Sequence, residues 1–208
     1  MKTEIDFATW NRTEHFKFFN SFEEPFFGVV VDVDCTTAYN KAKEKGVPFF
    51  LYYLHCTLKA VNQLIHFKYR VEDDKVYLYD EIHASATINR PDDTFGFSYI
   101  TYYPDLHQFT ASAKQEIARV QDGKGVELRP MVNLLHISAI PWVNFKALTH
   151  ARSFSFKDSV PKISYGKMTE VDGVKTMPVS VTVHHGLADG RHVGEFIDLY
   201  QQLLNTSL

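Results

Sequence analysis

The spacing of apolar and polar positions divides the chain into strands and helices that follow no regular alternation. Residues 27–33 (FGVVVDV) are a β-branched run and predict a strand. Thr36 stands where it can cap a short helix that stops at Gly46, and Pro48 opens the next one. That second helix, over 48–67, carries Leu51, Leu54, Leu58, Val61 and Ile65 at three- and four-residue spacing. Residues 69–71 and 76–79 predict a hairpin turning at Asp73 and Asp74. Strand patterns follow at 84–88 and 95–99, and Asp105 then caps an amphipathic helix through Val120, closed by the loop at Gly123 and Gly125. Beyond Pro130 strand patterns dominate, at 134–140, 144–149, 163–167 and 179–184. A last helix over 191–204 turns Val193, Phe196, Ile197, Tyr200 and Leu203 to one face. Strands joined by tight polar turns, with helices inserted irregularly, predict an α+β fold.

Composition narrows the function classes. The 208 residues are 45% hydrophobic and 23% charged, which suits a packed core and excludes a disordered or fibrous chain. No linker, repeat or low-complexity tract interrupts them, so residues 1–208 read as one domain. The net charge of −3 with no basic run gives no footprint for nucleic acid. The longest apolar stretch, near Val47 to Leu54, is far shorter than the roughly 20 residues that span a bilayer. The N-terminus has no apolar core behind its charge, so no secretory signal is read and a cytoplasmic protein is expected. Cys35 and Cys56 form no CxxC pair and read as buried thiols. There is no GxGxxG, no phosphate-binding loop and no HExxH, so nucleotide chemistry and a functional metal are not expected. Asp73-Asp74 and Asp92-Asp93 read as solvated turn charge, and most of the 17 Phe and 11 Tyr as core packing.

One segment carries chemistry: Val181-Thr-Val-His184-His185-Gly186-Leu187-Ala188-Asp189-Gly190-Arg191-His192-Val193. An alternating β-branched strand delivers two imidazoles to its end, and a glycine turn and an aspartate precede a helix. Adjacent strand residues face opposite ways, so only one of His184 and His185 looks into a given cleft. Imidazole is the side chain best matched to removing a proton near neutral pH. Asp189 sits where it can fix the turn or cap the helix.

With its surroundings, this segment resembles the trimeric chloramphenicol acetyltransferase family along nearly the whole chain. Trp10-Asn-Arg12-Thr-Glu14-His15-Phe16 is similar to that family's WxRxEHF element. Residues 60–63 (AVNQ), 141–145 (PWVNF) and the HHxxxDG run follow in order. The resemblance implies a two-layer sandwich, a mixed and largely antiparallel sheet with helices on one face. It implies an acetyl-CoA-dependent O-acetyltransferase acting on chloramphenicol or a similar small hydroxyl acceptor. It implies a homotrimer with active sites between subunits, and no metal. His185 would be the general base, its ring held by a bond to its own main-chain carbonyl. Asp189 would pair with Arg12 and hold the base loop. Ser164, where the family has a threonine, would bind a water near the tetrahedral intermediate. Lys167 would contact coenzyme A, and Phe19, Phe27 and Phe95 would line the acceptor pocket.

Two positions depart from the pattern. Where the family places a serine whose hydroxyl donates to the oxyanion, this chain has Ala147, and Lys146 replaces a usual acidic residue. Losing one such donor typically costs about 10²–10³ in rate. Thr149 reads as an ordinary threonine on the same strand face. The alternative to an active enzyme is therefore a turnover-impaired relative that binds a small aromatic ligand or coenzyme A. A third reading is an acyltransferase for another acceptor or a larger acyl group.

Overall fold

The computed structural model describes residues 1–154 and 157–206. Strands β1 (Lys2–Glu4), β2 (Phe26–Asp34), β3 (Tyr69–Glu72), β4 (Lys75–Tyr79), β5 (His83–Asn89), β6 (Phe95–Phe97), β7 (Leu134–Ala139), β8 (Lys162–Tyr165), β9 (Thr169–Val171) and β10 (Val174–His184) are spaced among five α-helices. The helices are α1 (Thr13–Phe19), α2 (Thr36–Glu44), α3 (Phe49–Gln63), α4 (Leu106–Asp122) and α5 (Gly190–Asn205). The main sheet runs β2-β10-β8-β7-β5-β6, with β9 pairing β10. It is mixed and largely antiparallel: among its pairs β5–β7 and β7–β8 are parallel, the rest antiparallel. A small antiparallel sheet, β1-β4-β3, stands beside it.

Alternation along β10 separates the two faces of the main sheet. Val179, Val181 and Val183 join Ile163 and Tyr165 of β8 in one core with Leu54 and Leu58 of α3, Phe109 of α4, and Phe196 and Tyr200 of α5. Burying each such side chain contributes roughly 1.5–3 kcal/mol. The intervening positions point the other way and form polar rows. Ser180 lies opposite Ser164 and Thr182 opposite Lys162, while Ser138 and His136 of β7 continue the two rows. This is the expected α+β sandwich with helices on one face.

Local chemistry sets the boundaries. Gly46, at φ +64, ends α2 after Glu44 where a Cβ would be strained. Thr36 is the first helical residue rather than the cap, and its hydroxyl accepts from the Lys175 N–H. Asp73 and Asp74 both have positive φ, the primed turn a tight hairpin requires. Asp105 caps α4 by accepting from the Gln108 N–H. Two expectations are corrected. The second helix stops at Gln63, because Leu64 is extended and the Asn62 side chain ties the chain to both backbone groups of Ile82. Ile65 then sits in a 3₁₀ turn, 46% exposed, rather than on the buried stripe. Residues 144–149 form no strand: the chain turns over Ile140–Val143 at Pro141, leaving the sheet after β7. Thr149 therefore shares no strand face with Ala147.

A second, smaller core joins the N-terminal segment to the loop after β10. Phe16, Tyr69, Val76 and Leu187 are buried together, with Phe7 and Trp10 packed against them. Trp10 meets Tyr69 edge-on at 5.3 Å. This packing fixes where α1 begins, and Arg12 immediately precedes α1.

Candidate active site

Arg12 reaches from the start of α1 into the loop that follows β10. Its guanidinium donates to Asp189 Oδ2 at 2.9 Å, to the His185 carbonyl at 3.2 Å and to the Gly186 carbonyl at 3.3 Å. Arg12 itself is buried, so one side chain holds both backbone and carboxylate of the loop. Burial raises the Asp189 carboxyl, but the Arg12 hydrogen bond and the nearby positive field outweigh it and hold the group below its ordinary value.

Asp189 also caps α5. Its carboxylate accepts from the Arg191 N–H at 3.1 Å, and its own N–H donates to His192 Nδ1 at 3.1 Å, closing a reciprocal cap. His192 stacks on His66 with ring centres 3.5 Å apart. Burial, then the fields of His192 and Arg12, push the His66 imidazole down to about 4. Gly186 allows the tight path: a Cβ there would stand 3.1 Å from the Phe16 Cα and from His184 Cε1.

The two histidines take different environments. His184 is 2% exposed and faces Phe26, and its Nδ1 accepts from the Gly186 N–H. Burial ahead of other causes pushes it down to about 4, so it is neutral and structural. His185 is only half-buried. Its ring lies flat on Phe19, 4.0 Å between centres and 5° between planes, with Phe27 at 4.5 Å on a tilt. Its N–H donates to the Pro25 carbonyl at 2.7 Å. Its Nδ1 has no hydrogen-bond partner among the described residues, and its carbonyl is taken by Arg12. The expected bond from the ring to its own carbonyl is therefore absent; aromatic stacking sets the ring plane instead.

Phe27 pairs with Val183 and packs toward the helices, whereas Ser164 pairs with Ser180 on the polar face. His185 and Ser164 thus lie on opposite sides of the sheet in one chain. Ser164 is fully buried and its hydroxyl has no partner among the described residues. Its row leads to Ser138, which lines a cavity of about 330 Å³ with His136, His150 and Lys162. Ala147 and Thr149 are exposed and line a neighbouring cleft of about 390 Å³ with Ser180 and Thr182, and Lys146 pairs there with Asp32 at 2.9 Å. Lys167 is exposed just beyond β8, its N–H donating to the Val143 carbonyl. Phe95 stands apart from Phe19 and Phe27, on edge strand β6, 48% exposed against Phe97.

Sequence reasoning missed His136, His150, Asp158 and Lys162, which arrive from distant segments. Asp158 accepts from Lys162 Nζ at 2.5 Å. Lys162 lies 4.4 Å over the Phe26 ring, as Arg152 does at 3.8 Å. The polar rows had a readable trace, since Ser180 and Thr182 alternate with valines in Val179-Ser-Val-Thr-Val183. Among the described residues no group of three or more His, Cys, Asp or Glu is gathered as a metal site.

A family profile described as "CAT: Chloramphenicol acetyltransferase" matches residues 1–201. "Chloramphenicol acetyltransferase 2" of Escherichia coli is 29% identical over 211 residues, covering 99% of this chain and 98% of that protein. "Chloramphenicol acetyltransferase" of Proteus mirabilis is 26% identical over 200 residues, covering 95% and 92%. A solved structure titled "chloramphenicol acetyltransferase" superposes with a TM-score of 0.87 at 30% identity, over 98% of this chain and 100% of that one. The truncated catalytic core of the 2-oxoacid dehydrogenase multienzyme complex from Thermoplasma acidophilum shares the fold, with a TM-score of 0.69 at 16% identity.

Proposed function

The chain belongs to the chloramphenicol acetyltransferase family, and on that premise we propose that it transfers acetyl from acetyl-CoA to a hydroxyl of chloramphenicol or a similar small alcohol. The observation that carries this reading is the posture of His185: a half-buried imidazole on Phe19 and Phe27, on a loop bonded three ways by Arg12. The imidazole there takes the acceptor's hydroxyl proton as the oxygen attacks the thioester carbonyl. The tetrahedral intermediate collapses to the ester, and the departing thiolate takes the proton back from the imidazolium. No acyl-enzyme is required, because both substrates meet at the base.

Asp189 and Arg12 act as positioning residues, holding the base loop without touching substrate. Ser164 binds a water beside the intermediate, and Lys167 contacts coenzyme A. The functional unit is a homotrimer. The placement of His185 and Ser164 on opposite faces supports a site made by two copies, with His185 of one subunit facing the acceptor cavity of the next. The protein acts on dissolved small molecules, as the lack of any described helix long and apolar enough to cross a membrane permits.

Ala147 favours the second reading, a binder of a small aromatic ligand or coenzyme A with little turnover, since it brings no hydroxyl to the oxyanion position. Thr149, Ser180 and Thr182 line the same cleft and supply hydroxyls that support turnover. Thiol release from acetyl-CoA, measured against a panel of alcohols that includes chloramphenicol, separates the readings. Release with chloramphenicol or another alcohol is expected; binding of coenzyme A without release would establish the second reading instead.

A further inference from the structure

We propose that the acceptor is an anionic alcohol, a hydroxyl compound carrying a carboxylate, held in the cavity beside Ser138; this rests on the acetyl-transfer reading above. The cavity floor is built from the polar face of the sheet, with Ser85 and Thr87 of β5, His136 and Ser138 of β7 and Lys162 of β8. Arg129 stands at its rim, 4.5 Å over the Tyr99 ring. No aspartate or glutamate is among its described lining residues. A neutral aromatic diol makes poor use of such walls, because charged and hydroxyl donors that lose water must find acceptors on the ligand.

The field behind the floor has the same sign. Arg70 is fully buried, and its guanidinium donates to the carbonyls of Phe67, Tyr69, Val132 and Leu134, the last a cavity-lining residue. No carboxylate bonds it among the described residues. Among the described residues Asp158 is the one carboxylate acting on Arg70, Lys162 and His136 together, and it already accepts from Lys162. The two nearby cations, Arg70 and Lys162, therefore share a single counter-charge. Burial lowers Arg70 only to about 9, so it stays charged at neutral pH, and burial with the Lys162 field keeps His136 and His150 neutral. A carboxylate on the acceptor would supply the missing negative charge. The apolar walls, Phe97, Leu128 and Met131, suit the acceptor's carbon frame. Ser164 lies one strand from Ser138 in the same row, so an acceptor anchored by its carboxylate places its hydroxyl toward the reacting end.

The test compares 3-phenyllactate with its neutral amide as acceptors in acetyl-CoA thiol release by the full chain. The carboxylate is expected to be favoured at least tenfold in kcat/KM, and that ratio to fall below threefold in Arg129→Gln and in high salt. Arg129 pairs with Glu127 at the surface, so this variant keeps the buried Lys162–Asp158 pair intact. Equal use of the two acceptors, or preference for the amide, overturns the inference while leaving acetyl transfer standing. If no alcohol releases thiol, the acetyl-transfer reading fails and the thermal shift given by each compound decides. A larger shift with phenyllactate that vanishes in Arg129→Gln supports the anion site; equal shifts, or none, overturn it.

Discussion

Replacing Arg12 with methionine keeps most of its apolar stem and removes the guanidinium that ties α1 to the base loop. Three hydrogen bonds are lost, to Asp189 Oδ2 and to the carbonyls of His185 and Gly186. Each is worth about 1 kcal/mol net, and bonds involving a charged group roughly 1.5–3 kcal/mol. The Asp189 side chain is 36% exposed, so water compensates part of its loss, and it keeps its bond from the Arg191 N–H. The total cost is then about 2–4 kcal/mol, somewhat below the roughly 3–5 kcal/mol for breaking a fully buried pair. For a domain of 150–250 residues this lowers Tm by roughly 4–16 °C. The loosened loop also moves the His185 ring on Phe19, and a misplacement near 1 Å costs about 10²-fold in rate. We therefore expect kcat to fall about 10- to 100-fold, with KM for acetyl-CoA within about threefold of wild type. Differential scanning calorimetry and steady-state kinetics on Arg12→Met, Asp189→Asn and the double variant give the coupling, expected at about 1–2 kcal/mol. Additive effects, or an Arg12→Met protein with unchanged Tm and kcat, would refute the clamp.

Three further outcomes follow from the same geometry. Ala147→Ser should raise kcat by about tenfold or more if oxyanion donation limits the rate; an unchanged kcat means that another hydroxyl in the cleft already serves. The His66 and His184 imidazoles are each pushed down to about 4, below the free value near 6.5, so the unfolded chain binds more protons between those limits. Stability is accordingly full above about pH 6.5 and is lost as pH falls toward 4, and a urea midpoint that stays flat between pH 7 and 4.5 would contradict this. Gly186→Ala forces a Cβ to 3.1 Å from the Phe16 backbone, costing about 1–3 kcal/mol; an unshifted Tm would show that the loop has slack.

The sequence made the site's chain-local half legible and left the assembled half dark. The valine alternation before His184 showed that a strand delivers the imidazoles, and Asp189 stood where a helix cap belongs; the structure contains both features. Periodicity misjudged the end of α3, because Ile65 keeps helical spacing while the Asn62 side chain, which bonds Ile82, ends the helix. It also read residues 144–149 as a strand, since apolar alternation does not reveal that Pro141 turns the chain off the sheet. The strands β1 and β9 have three residues each, too few to carry a period. The cavity lining was hidden for another reason. Sheet register puts Ser85, His136 and Lys162 side by side, and Arg129 and His150 join them from loops distant in sequence. Ser164 was singled out from the resemblance; that its hydroxyl faces away from His185 within one chain follows from pairing, which no spacing encodes.

In the proposed transfer His185 removes the proton from the attacking alcohol. Turnover of acetyl-CoA with a working acceptor, measured at saturating concentrations for wild type and His185→Ala at equal Tm, addresses it most directly. General-base catalysis predicts a loss of about 10²–10⁴ in kcat with the fold intact. A His185→Ala protein that turns over at the wild-type rate would contradict it.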